Sequence, residues 1–189
     1  MMTAMANINK IKIGVALLLF LSVMAAKGGS IYIQKMPTRQ WVEIVLQGEY
    51  RLDESKAIAI GGYVTNASQR YGIPSEIIIA MMSVESNFDY NAHSYCHAIG
   101  LMQVRPDVWG GTSPHNIHNR RENVLAGAWV LRNYRDQLGS YPAAIKAYNI
   151  GITKFRQGKA QESSYEYFEK VEKQRKLIIT KYPKLITTI

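Results

Sequence analysis

Glu85 is the side chain in this sequence with the clearest chemical potential, because of what precedes it. Ile77, Ile78, Ile79, Ala80, Met81, Met82 and Val84 leave almost no polar face on the helix they would form, and a helix apolar all round is a buried one. A carboxyl closing such a helix is partly removed from water, which disfavours its charged form and raises its pKa. A carboxyl of that kind donates a proton near neutral pH, and cleavage of a glycosidic bond needs such a proton because a sugar alkoxide leaves poorly. A glutamate at a helix end can equally face water, so position alone leaves both readings open. Asp89 and Glu122 are the nearest candidates for the second carboxylate that most glycoside hydrolases place across the bond. They read more simply as solvated charges of a loop and of a helix start.

A second group of candidates is His93, Cys96 and His97 in one loop, with His115 and His118 further on. Imidazole and thiolate together form a ligand set suited to zinc. Their spacing fits no standard finger and no helix supports them, so neither a metal site nor a cofactor is expected. Cys96 is the single cysteine, so no internal disulfide forms, and it is inert if buried. Tyr148 and Tyr167 are either core tyrosines with a hydroxyl at the surface or donors to a polar site.

The elements that must position these residues are helical. A segment from Asp53 to Tyr71, with Ser55 as a cap, stops at Gly72, and a second begins at Pro74 and Ser75. The stretch from Asn87 to His118 carries Gly100, Pro106, Gly110, Gly111 and Pro114 without sustained period, and reads as a loop broken by short helices. Gly100 there answers a backbone need, either positive φ or close approach of a substrate. Val124, Ala128, Leu131, Tyr134 and Leu138 share one face of a helix ended by Gly139. Ser140 and Pro142 open another, and a last helix runs from about Glu162 to Tyr182, its apolar marks being Tyr165, Phe168, Val171, Ile178 and Ile179. No strand pattern is convincing. The expected fold is predominantly all-α.

Lys10 and Lys12 precede the apolar run Ile13 to Ala26, the arrangement of an export signal. The run is shorter than the ~20 residues that span a bilayer, although Ile31, Tyr32 and Ile33 follow soon after. Residues 1–26 are therefore read as a signal peptide or membrane anchor, 27–52 as a connecting segment with a short helix at Trp41 to Leu46, and 53–189 as the functional domain. The formal net charge of +9 favours a polyanionic partner such as nucleic acid, a membrane surface or an acidic wall, or else a solvated basic face.

Glu85-Ser86, then Gly100-Leu101-Met102-Gln103, and later Ala147-Tyr148-Asn149 together resemble the soluble lytic transglycosylase family, whose domain is similar to goose-type lysozyme. The resemblance runs from about Tyr71 to Val171. Glu122 to Tyr134, with Asn123, Ala126-Gly127 and Leu131, resembles the family's preceding helix, and Tyr167 matches its late tyrosine. The resemblance implies a lysozyme-like domain acting on peptidoglycan. Glu85 would protonate the bond between N-acetylmuramic acid and N-acetylglucosamine, and its carboxylate would then take a proton from the muramic 6-hydroxyl, leaving a 1,6-anhydro end. Ser86 and Gln103 would lie near the sugar amides and the acid, Tyr148 and Tyr167 would hydrogen-bond around Glu85, and Asn149 would line the groove. Met102 and Leu101 would pack its floor.

Two alternatives remain at this point: a lysozyme-like muramidase that delivers water to the same bond, and a non-catalytic glycan-binding part of a secretion, conjugation or phage machine. The expected location is the periplasm or cell envelope, with the N-terminal segment cleaved or kept as an inner-membrane tether. No nucleic-acid motif or clustered basic helix is present, so no nucleic-acid partner is expected.

Overall fold

The computed structural model describes residues 33–35, 38–159, 161–184 and 186–188. The apolar run from Ile13 to Ala26 lies outside the described residues. Two compact units are distinguished, and the one that carries the candidate residues spans Thr38–Pro183. The other contains a short antiparallel pair, β1 (Ile33–Lys35) with β2 (Ile186–Thr188), Ile33 standing opposite Thr188. Three residues per strand are too few for a period of two to register in the sequence.

The helical unit is built from α1 (Thr38–Gly48), α2 (Glu54–Tyr71), α3 (Ser75–Glu85), the single turn α4 (Pro106–Trp109), α5 (Arg120–Leu138), α6 (Tyr141–Ile150), the short α7 (Ile152–Arg156) and α8 (Gln161–Lys181). Helix α3 packs against α2 and α8, α5 against α2 and α6, and α6 closes on α8. Every residue of α3 from Ile77 to Met82 is buried, as its apolar composition requires.

Caps set the helix ends. Asp53, rather than Ser55, caps α2: its Oδ1 accepts from the Lys56 amide at 2.9 Å, while Ser55 donates to the same oxygen at 2.7 Å. Gly72 and Gly139 end α2 and α5 with φ of 62° and 79°, a left-handed conformation that glycine adopts without penalty. Asn119 caps α5 and Ser140 caps α6.

Two expectations about the periphery need adjusting. The short helix expected at Trp41 to Leu46 runs from Thr38 to Gly48 and is packed onto α2, with Trp41, Val42, Val45 and Leu46 buried. Trp41 also donates its indole N–H to the Tyr182 carbonyl at 2.9 Å, fastening α1 to the end of α8. On α8 the inward face is Ser164, Tyr167, Val171 and Ile178, whereas Tyr165 and Ile179 are 52% and 40% exposed. The helical repeat favours Tyr167 because positions 164, 167, 171 and 178 share one face, and Tyr165 stands off it.

Among the described residues no helix is long and apolar enough to cross a membrane. Because α1 contributes side chains to the core, Leu46→Ala should destabilise the whole unit by about 2–5 kcal/mol. Denaturant unfolding should show one transition moved to lower midpoint; an unchanged midpoint would mean that α1 is only an appendage.

Candidate active site

Glu85 is the last residue of α3, and the chain turns away from the helix axis directly after it. Asn87 and Phe88 both have positive φ, 48° and 62°, a costly conformation for a bulky residue. Burial compensates. Phe88 is fully inaccessible and its ring lies 4.6 Å from that of Tyr50, whose hydroxyl reaches Gln174 on α8 at 3.1 Å. The turn leaves Glu85 with a partial opening to solvent while protein surrounds it on nearly all sides.

That burial pushes the Glu85 carboxyl up from 4.5 to about 7, against a smaller lowering by the hydrogen bond from Tyr167. The negative end of the α3 dipole acts in the same direction as burial. Tyr167 donates from α8 to Glu85 Oε1 at 2.5 Å, so the proton of the neutral acid is carried on Oε2. Both Tyr148 and Tyr167 are held well above the ordinary tyrosine range, first by burial and then by the Glu85 charge. They stay neutral donors across the range in which Glu85 titrates.

The loop after Glu85 is shaped by backbone capture. Ser86 Oγ donates to Leu101 O at 2.8 Å, and the Gln103 amide donates to Ala92 O and Gly100 O, each at 3.0 Å. Tyr148 donates to Met102 O at 2.9 Å. Ile99 forms isolated bridges with His93 and Val104. Leu101 and Met102 are buried, as a floor requires. Gly100 has φ of 73°, and a Cβ there would meet the Asn123 carboxamide at 2.8 Å, so the backbone need is conformation together with close packing against protein.

Asn123 is the positioning residue that its sequence context undersold. It is 1% exposed, and its carboxamide accepts from Met102 N at 2.9 Å and donates to Ile99 O and Ile117 O, each at 3.0 Å. Gly127, one turn on, is needed because a Cβ would lie 2.6 Å from Met102 Cβ and 2.8 Å from the Tyr148 hydroxyl. An amide and a glycine on an otherwise apolar buried face were the available signals.

Glu85, Ser86, Gly100, Met102, Gln103, Tyr148 and Tyr167 are thus linked through direct contacts or the shared loop. Asn149 is exposed beside Tyr148 and is no hydrogen-bond partner of Glu85. The other carboxylates are engaged elsewhere: Asp89 is exposed and accepts from the Asn91 amide at 2.9 Å, and Glu122 accepts from His115 Nδ1 at 2.7 Å. His115 is buried and also meets the Tyr71 hydroxyl. Cys96 is exposed rather than buried, because the loop tip around it projects outward with Tyr95. Among the described residues no three histidine, cysteine or acidic side chains are grouped to hold a metal ion.

Residues 62–171 match the model of the transglycosylase SLT domain. The chain belongs to this family. Among its relatives, the membrane-bound lytic murein transglycosylase C of Haemophilus influenzae is 37% identical over 107 residues, covering 47% of this chain and 30% of that protein. The protein of the same name from Actinobacillus succinogenes is 36% identical over 108 residues, with the same coverage of 47% and 30%. The chain therefore spans less than a third of these relatives. An inactive mutant of the lytic transglycosylase Slt from Pseudomonas aeruginosa superposes with a TM-score of 0.57 at 22% identity, over 74% of this chain and 27% of that one. That likeness establishes the fold as lysozyme-like.

Burial of Glu85 in the SLT domain has a cost that depends on pH. Its folded pKa of about 7 exceeds the ordinary 4.5, so the native state holds the proton more tightly and stability falls as pH rises between those values. Glu85→Gln should therefore stabilise the protein by about 1–3 kcal/mol at pH 8. The gain should vanish below pH 4.5. Thermal melts across this range would reveal a solvated glutamate by showing equal stability of both proteins at every pH.

Proposed function

We propose that this chain cleaves the glycan strands of bacterial peptidoglycan as a lytic transglycosylase, with Glu85 as its one catalytic acid and base. The observation that carries the reading is the Glu85 carboxyl, enclosed by protein, bonded by Tyr167 and raised to about 7, on which no other carboxylate among the described residues acts. A two-carboxylate hydrolase needs its second group roughly 5–9.5 Å away; Asp89 and Glu122, the carboxylates considered for that role, are hydrogen-bonded to the Asn91 amide and to His115. One carboxyl suffices when the nucleophile belongs to the substrate.

On this reading Glu85 Oε2 gives its proton to the oxygen between N-acetylmuramic acid and N-acetylglucosamine as that bond breaks. The carboxylate then takes the proton of the muramic 6-hydroxyl while its oxygen closes on the anomeric carbon. Proton and electron count balance, no water is consumed, and Glu85 returns to its acid form. Tyr167 keeps Oε1 as an acceptor in both states. Gln103 Oε1 has no protein donor among the described residues, so it is available to a sugar amide. Asn149, exposed and next in the chain to Tyr148, is open to the same use. The names of the curated relatives, which are membrane-bound lytic murein transglycosylases, support an envelope location, with residues 1–26 as export signal or tether.

Mass analysis of muropeptides released from sacculi tests this directly. The parent protein should leave anhydro ends, lighter by one water than reducing ends, and Glu85→Gln should lower the rate about 10²–10⁴-fold while remaining folded. Reducing-end products would establish the muramidase alternative instead. The rate should fall as pH rises through about 7, where Glu85 loses its proton. Tyr167→Phe removes the hydrogen bond that lowers this value, so the falling limb should move to higher pH; a limb that stays in place would separate Tyr167 from the titration.

A further inference from the structure

Beside the loop that carries Gly100 lies a cavity of about 200 Å³, and Glu85 is not among the residues that line it. One side is polar and cationic: Arg120 and His118, with the carboxamides of Asn91 and Asn119, all four exposed. The other side is apolar, formed by Ile99, Leu101 and Ile117, the last two buried. Asn119 and Arg120 stand at the start of α5, where the helix dipole adds positive potential. Among the described residues no carboxylate lines the cavity.

The charge of Arg120 is not balanced from within the protein. Its guanidinium lies 4.3 Å from the centre of the Tyr90 ring, which also lines the cavity, and the Lys56 ammonium lies 5.4 Å from the centre of the same ring. Arg120 has no ion-pair or hydrogen-bond partner among the described residues, so its five N–H donors are available. The carboxylates of the neighbourhood are engaged. Asp53, whose charge reaches Tyr90, caps α2 and accepts from Ser55, Asp89 accepts from the Asn91 amide, and Glu122 accepts from His115. The walls are held by the backbone, since His93 Nδ1 donates to Asn91 O at 2.6 Å and Gly100 N to Ala92 O at 2.9 Å. Asn123 lines the cavity and accepts from Met102 N, so the cavity shares a side chain with the floor of the acid site.

We infer that this cavity binds the C-terminal residue of a peptide, with its carboxylate on Arg120 and its small side chain against Ile99, Leu101 and Ile117. The guanidinium fork matches a carboxylate, and the two carboxamides add donors beside it. The volume lies below the roughly 300–1,000 Å³ of sites that enclose a whole drug-sized ligand, so the cavity takes the end of a chain and not a disaccharide. Its apolar side favours an aliphatic residue over an inorganic anion. The site stands apart from Glu85 and does not depend on the cleavage reading. Two sources present this chemistry: a wall stem peptide that ends in D-alanine, and a protein terminus that ends in an L residue.

The test titrates the full chain calorimetrically with acetyl-D-alanyl-D-alanine and with its L,L counterpart, using the C-terminal amide of each as control. The free acid should bind saturably and its amide about tenfold more weakly. Arg120→Gln should weaken binding of the acid about tenfold, and Arg120→Lys, which keeps the charge without the fork, about threefold. Arg120 is exposed, so both variants should melt at the parent's temperature in the absence of peptide. Amide resonances of Gly100, Leu101 and Arg120 should shift during the titration, which locates the peptide in this cavity. Tighter binding of the D,D form assigns the wall stem as the source, and tighter binding of the L,L form a protein terminus. No binding by the parent, equal binding of acid and amide, or equal affinity of the parent and Arg120→Gln would overturn the site. Inorganic phosphate bound as tightly as the peptide acid would overturn the peptide assignment. Peptide binding by a protein that leaves sacculi uncut would refute the cleavage reading alone and uphold this one.

Discussion

The buried carboxamide of Asn123 is the constraint on which the site geometry depends. From one position on α5 it satisfies three backbone groups, Met102 N, Ile99 O and Ile117 O. Each would cost about 1–3 kcal/mol if buried unpaired. These groups belong to separate parts of a segment whose only helix is the turn α4, so neither a sheet nor a long helix is there to hold it. Once Met102 and Ile99 are fixed, the rest follows by contact: Leu101 O is presented to Ser86, Met102 O to Tyr148, and the Gln103 amide folds back on Ala92 and Gly100. Gly100 lacks a side chain because the Asn123 carboxamide occupies that space.

Against this fixed floor, the protonation of Glu85 is set by opposing effects of different origin. Burial raises the carboxyl, and the C-terminal end of α3 adds to that, while Tyr167 alone draws it down. The outcome near 7 requires that the two tyrosines remain neutral, and burial ensures it. Two left-handed residues, Asn87 and Phe88, stop α3 so that Glu85 stays at the rim of the core. Phe88 secures the turn by being fully buried.

Helices and their stops were legible because each depends on local chemistry. Gly72, Gly139 and Ser140 are end signals whatever the partner helix, and the apolar run of α3 allows only burial. Glu85 was legible as a candidate for the same reason, and the motifs around it narrowed the chemistry. The apolar face of α8 was less legible: Tyr165 and Tyr167 are two residues apart on one helix, and it is Tyr167, on the face shared by Ser164, Val171 and Ile178, that packs inward. Asn123 was visible as part of a familiar helix pattern, but its role lies in hydrogen bonds to Met102, Ile99 and Ile117 that no local pattern encodes. The exposure of Cys96 likewise depends on how the loop projects.

On the proposed reading, a catalyst with one carboxyl faces a demand that a two-carboxylate enzyme does not. The same group must reach the glycosidic oxygen and then the 6-hydroxyl, and the second atom belongs to a sugar that can rotate away once the bond breaks. Orientation must then supply much of what a second carboxylate would otherwise give, and effective concentrations from well-oriented reactants are large enough to do so. Orientation comes from contacts remote from the reacting atoms. A rigid floor tied to Asn123 and polar groups at Gln103 and Asn149 are contacts of that kind. The small catalytic inventory and the extensive positioning structure around it are therefore two consequences of the same chemistry.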